Sequence, residues 1–83
     1  SVPFKGFPSY SNVIGFDSSN RINMVSYKFA PEDFGIVRDY FYAALCPFLK
    51  QNDMYVFEAD KYRVVLLPYG SDNKSSVTFF VVV

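Results

Sequence analysis

The chain is 83 residues long, 51% apolar and 20% aromatic, with ten phenylalanines, seven tyrosines and no histidine. Eight basic and eight acidic residues cancel, which removes the electrostatic footprint of a nonspecific nucleic-acid or acidic-membrane binder. No apolar run approaches the roughly 20 residues needed to cross a bilayer, and the opening residues do not read as a basic-then-apolar signal.

A length of this order predicts a single domain spanning residues 1–83. Such a domain buries only about 60% of its unfolded surface, so individual large side chains carry much of the stability. Seventeen phenylalanines and tyrosines are more than one small core needs. The surplus predicts a surface that meets something, with tyrosine the better surface species because its hydroxyl stays satisfied in water or at a partner. Cys46 is the one cysteine and cannot close an internal disulfide, which predicts a reduced, intracellular (cytoplasmic) setting.

Residues 1–10 (SVPFKGFPSY) mix Pro3, Gly6 and Pro8 with Val2, Phe4 and Phe7, which suits an extended N-terminal arm or an irregular edge strand. Residues 12–17 (NVIGFD) and 21–29 (RINMVSYKF) are β-rich runs around the small polar turn Ser18-Ser19-Asn20, the pattern of a hairpin. The second run alternates imperfectly: Ile22 and Met24 share one face, and Val25, Tyr27 and Phe29 the other. A bulge, or burial along part of both faces, reconciles them.

Residues 31–50 are the only stretch with a helical rhythm. Phe34, Val37, Phe41, Ala44, Leu45 and Phe48 fall on one stripe, with Asp39, Tyr42 and Cys46 opposite. Pro31, Glu32 and Asp33 suit a helix start, with Asp33 a candidate N-cap. Pro47 disfavours helical geometry at Cys46, which places the end near Leu45 or Cys46. Residues 54–59 (MYVFEA) and 62–67 (YRVVLL) read as a second hairpin across Asp60-Lys61. Residues 70–76 (GSDNKSS) are a polar loop, and residues 77–83 (VTFFVVV) read as a strand that is central or covered on both faces. The expected architecture is α+β: a single helix packed across a mixed four- to five-stranded sheet, in the order β-β-α-β-β-β.

That order, with KFAPEDF at the entry to the helix, MYVFEADKY after it and SSVTFFVVV at the end, resembles the β-grasp of ubiquitin-like domains. The likeness covers residues 12–83 as a β-grasp-like body, and implies a non-enzymatic module for protein binding or assembly. The Gly-Gly terminus of conjugated modifiers is missing, since the sequence ends in Val81, Val82 and Val83. The dense acidic motif of polymerising relatives is also missing.

Without histidine there is no Ser-His-Asp or Cys-His constellation, and no usual general base at neutral pH. Cys46 has no companions for zinc and no obvious source of thiolate activation. The four glycines are dispersed, so no phosphate loop is present. Asp72 with Asn73 reads as a turn rather than a calcium site. No catalytic residue, cofactor or metal is expected, and the chain does not read as an enzyme.

The expected function is protein–protein interaction or self-association, as part of a larger assembly or as a small inhibitor of a partner protein. A helix covers only one face of a sheet, so side chains on the other face or along an edge are natural anchors. The candidate interface residues are Arg21, Tyr27, Lys28, Tyr62 and Arg63. The alternative is a small single-stranded nucleic-acid-binding domain, in which Tyr27-Lys28 and Tyr62-Arg63 would stack bases and meet phosphate.

Overall fold

The computed structural model describes residues 11–45, 47–51 and 53–82. The arm expected over residues 1–10 and the thiol of Cys46 lie outside them, as does the side chain of Phe48. In chain order the elements are β1 (Ser11–Phe16), β2 (Ile22–Phe29), a 3-10 turn (Pro31–Asp33), α1 (Phe34–Ala44), β3 (Pro47–Gln51), β4 (Met54–Glu58), β5 (Tyr62–Leu67) and β6 (Ser75–Val81).

The fold is α+β, one helix on one sheet. The sheet has six strands in the order β1-β2-β6-β5-β4-β3, and every neighbouring pair is antiparallel. Two expectations are corrected here. The sheet is not mixed, and its strand order differs from that of a strict β-grasp. The extra strand is β3, which starts on Pro47, where a missing N–H costs least, and turns into β4 through Asp53 at φ 66°.

Helix formation follows the expected stripe. Val37 and Phe41 are buried, and Phe34 and Leu45 pack against the core from its margins. Phe41 stacks on Phe57 of β4 at 5.8 Å between ring centroids and meets Phe79 of β6 at 5.9 Å. Phe29, Tyr55, Val64, Leu66 and Val77 complete the core. The helix entry differs in detail from the expectation. Pro31–Asp33 form a 3-10 turn, and Asp33, at the N-cap of α1, makes no side-chain capping bond. Ala44, expected on the stripe, is exposed.

The β1–β2 hairpin closes through Asp17, whose Oδ1 accepts the N–H groups of Ser19 (2.8 Å) and Arg21 (3.0 Å), with Asn20 at φ 64°. The bulge lies beside this turn. Gly15 pairs with Met24 and Phe16 with Ile22, so Asn23 has no opposite number. A Cβ at residue 15 would stand 3.2 Å from Asn23 Oδ1 and 3.3 Å from Met24 Cβ, a close approach that glycine accommodates. β6 is central in the sheet, as expected; Val77 and Phe79 are buried on its helix-bearing face, while its other face runs from buried Ser76 through half-buried Thr78 to exposed Phe80.

Candidate interaction surface

Alternation along the strands divides the side chains between two faces. Tyr27 and Phe29 of β2, Val77 and Phe79 of β6, Val64 and Leu66 of β5, and Tyr55 and Phe57 of β4 point toward the helix. The opposite face carries Val13, Met24, Ser26, Lys28, Ser76, Thr78, Phe80, Arg63, Val65, Leu67, Val56 and Glu58, of which Ser76 and Val56 are buried. No helix of the described residues lies over it. Phe80 is 40% exposed and Leu67 36%, and between them run Val65 and Thr78.

Polar groups on this face are tied to one another. Ser26 Oγ and Thr78 Oγ1 are 2.9 Å apart at its centre. Arg63 Nη2 donates to Glu58 Oε2 at 3.2 Å across the β4–β5 ladder. At one end Lys28 Nζ lies 3.5 Å from Asp72 Oδ2. Asp72 belongs to the loop before β6, where its Oδ1 accepts the Lys74 N–H at 3.1 Å. The Lys74 N–H, and behind it the Lys28 ammonium, hold the Asp72 carboxyl below its ordinary range. Its oxygens are thus engaged by donors, which agrees with the reading of Asp72-Asn73 as a turn; Asn73 has φ 61°.

The five residues singled out from the sequence do not share one surface. Lys28 and Arg63 lie on the uncovered face. Tyr27 and Tyr62 lie on the helix-bearing face, packed against the core, with their rings 6.2 Å and 5.9 Å from Phe79. Arg21 sits at the tip of the first hairpin, 3.7 Å from Asp17 Oδ2. Adjacent residues of a strand point to opposite faces, so neither Tyr27-Lys28 nor Tyr62-Arg63 can present ring and cation to the same nucleotide.

A different aromatic-basic cluster, which sequence reasoning missed, forms where α1 meets β3 and β4. Arg38 Cζ and Lys50 Nζ lie 6.0 Å and 5.6 Å from the centroid of the Tyr55 ring, within the range of cation–π attraction. Tyr42 stands edge-on to Tyr55 and Phe57 at 5.9 Å and 5.4 Å, and is itself exposed. The Asp39 carboxylate, 3.2 Å from Arg38 Nε, together with Tyr55, raises the Arg38 pKa above its ordinary value. The helical spacing of Phe34, Arg38 and Tyr42 was the available signal, since residues four apart share a face.

Among the described residues no group of three or more His, Cys, Asp or Glu is placed to hold a metal ion, and no helix is long and apolar enough to cross a membrane. Comparison with protein-family models, with curated proteins and with solved structures finds no match.

Proposed function

We propose that the chain is a non-enzymatic module for protein–protein interaction or self-association, working through the sheet face that the helix leaves uncovered. The observation that carries this reading is the exposure of Phe80 and Leu67 on that face beside Val65, Met24 and Val13. A contiguous apolar area rimmed by charge, here Lys28 with Asp72 and Arg63 with Glu58, is the usual form of a contact surface. The lack of histidine supports a role without acid–base chemistry. The lone cysteine supports an intracellular setting.

The test is affinity capture from native extract, run in parallel with the unaltered chain and with Phe80→Lys and Ile36→Lys as baits. Proteins retained by the chain and by Ile36→Lys but lost with Phe80→Lys support the reading. A retained set that ignores Phe80, or turnover of any substrate, overturns it.

The cluster around Tyr55 favours a second reading, single-stranded nucleic-acid binding, in which the exposed Tyr42 ring offers a stacking surface beside Arg38 and Lys50. A gel-shift titration across salt tests it. Affinity that falls with salt and with Tyr42→Ala supports it, and absence of binding at low salt ends it.

A further inference from the structure

The two edges of the sheet are built differently. β3 begins on Pro47, shifts register between Pro47 and Leu49, and carries Lys50. Proline, irregularity and lysine are the devices that keep an edge from recruiting another strand. β1 has none of these between Ser11 and Gly15. Its sequence, SNVIGF, holds no charge and no proline, and its pairing with β2 is unbroken from Ser11 to Gly15. No strand of the described residues lies beyond it. Its apolar side chains are exposed on both faces of the sheet: Val13 and Ile14, which alternate, are each 51% exposed, and Phe16 is 58% exposed.

We propose that β1 pairs antiparallel with β1 of a second copy of this chain, so that two sheets join edge to edge into one continuous layer. This goes beyond the face contact proposed above, adding the sheet edge as a second surface with a second copy of the chain as its partner. An open edge is satisfied by an extended backbone, which sets the class of occupant. The side chains narrow it further. An occupant must be apolar on both of its faces to cover Val13 on one side and Ile14 on the other, and β1 itself has that pattern. A two-fold axis sets these residues beside or near their own counterparts, where aliphatic side chains attract and charges would repel. The charges bordering β1 among the described residues already have partners, Asp17 with Arg21 at 3.7 Å and Lys28, opposite Ser11, with Asp72 at 3.5 Å. A strand of this length is only about 20 Å long. Its contact falls short of the roughly 800 Å² per partner of a standard interface, so the pairing is weak and depends on concentration.

The test is sedimentation equilibrium of the full chain from about 1 μM to 1 mM, the range over which an interface of this class changes state. Alongside it, amide hydrogen exchange is followed at residues 11–15. The expected result is a mass that rises from 9.5 kDa toward twice that value, with exchange at residues 11–15 slowing as concentration rises. Val13→Lys and Ile14→Lys stay monomeric throughout, whereas Leu67→Lys, on the uncovered face away from β1, associates as the unaltered chain does. The proposal is overturned by a mass fixed at 9.5 kDa, by protection of residues 11–15 that ignores concentration, or by association that survives Val13→Lys. It is equally overturned if Leu67→Lys abolishes association, which would assign self-association to the face. A monomer at every concentration ends the edge pairing alone, since the capture experiment on Phe80 still decides the wider reading.

Discussion

Ser26 Oγ and Thr78 Oγ1 lie 2.9 Å apart on opposed positions of β2 and β6, a half-buried hydroxyl pair at the centre of the sheet face opposite the helix. Removing one partner leaves the other hydroxyl half-buried without its bond, whereas removing both leaves nothing unsatisfied. Thr78→Val alone is expected to cost about 0.5–1 kcal/mol, and Ser26→Ala with Thr78→Val close to nothing. Urea denaturation of the two single variants and the double variant measures the coupling.

Ile36 and Val37 are neighbours in α1 with opposite environments, 58% and 0% exposed. Ile36→Lys is therefore expected to change stability by no more than about 0.5 kcal/mol. Phe41, one turn beyond Val37 on the same buried stripe, touches Phe57 and Phe79. Phe41→Ala is expected to cost about 3–5 kcal/mol, comparable with the whole stability of a small domain. Circular dichroism across a thermal scan separates the two outcomes.

The helix, both hairpins and the last strand were legible because each is encoded by spacing within one short window. The 3.6-residue stripe from Phe34 to Phe41 and the turn residues Ser18-Ser19-Asn20 are examples. β3 was not legible, because five residues opening on proline and containing Lys50 have no alternation to detect. The strand order was not legible either, since β2 meets β6 through pairs such as Tyr27 with Val77, far apart in the chain and signalled by nothing local. For the candidate surface, the sequence supported the existence of an uncovered face but not its membership. Tyr27 and Lys28 stand together in the sequence, and adjacency in a strand is what places them on opposite sides.

Asp72 provides a pH-dependent term. Its carboxyl titrates below its ordinary value of 3.8 because the Lys74 N–H, then Lys28, favours the charged form. A depressed carboxylate contributes stability that is fully present above the ordinary value and is lost as pH falls through the lower, folded-state value. An NMR titration is expected to give an Asp72 midpoint below 3.8, and Asp72→Asn is expected to lessen the fall in stability over that acid range.

Asn73 holds φ 61° in the same loop, where its N–H donates to the Gly70 carbonyl at 3.1 Å. A side chain with a branched or apolar Cβ is disfavoured there, while asparagine and glycine are tolerated. Asn73→Ala is expected to cost about 1 kcal/mol, lowering the melting temperature by about 4–8 °C in a domain of this size. Asn73→Gly is expected to stay close to the unaltered chain.

The β2–β6 ladder is, among the described strands, the sole backbone seam between the leading half of the chain and the trailing one. β3 through β6 are a run of local reversals that can zip from neighbour to neighbour, whereas the first hairpin must find β6 across the whole intervening loop. The molecule therefore behaves as a tab and a slot. The leading hairpin enters the sheet along a single strand, β2 against β6, while α1 clasps the trailing strands through Phe41 on Phe57 and Phe79.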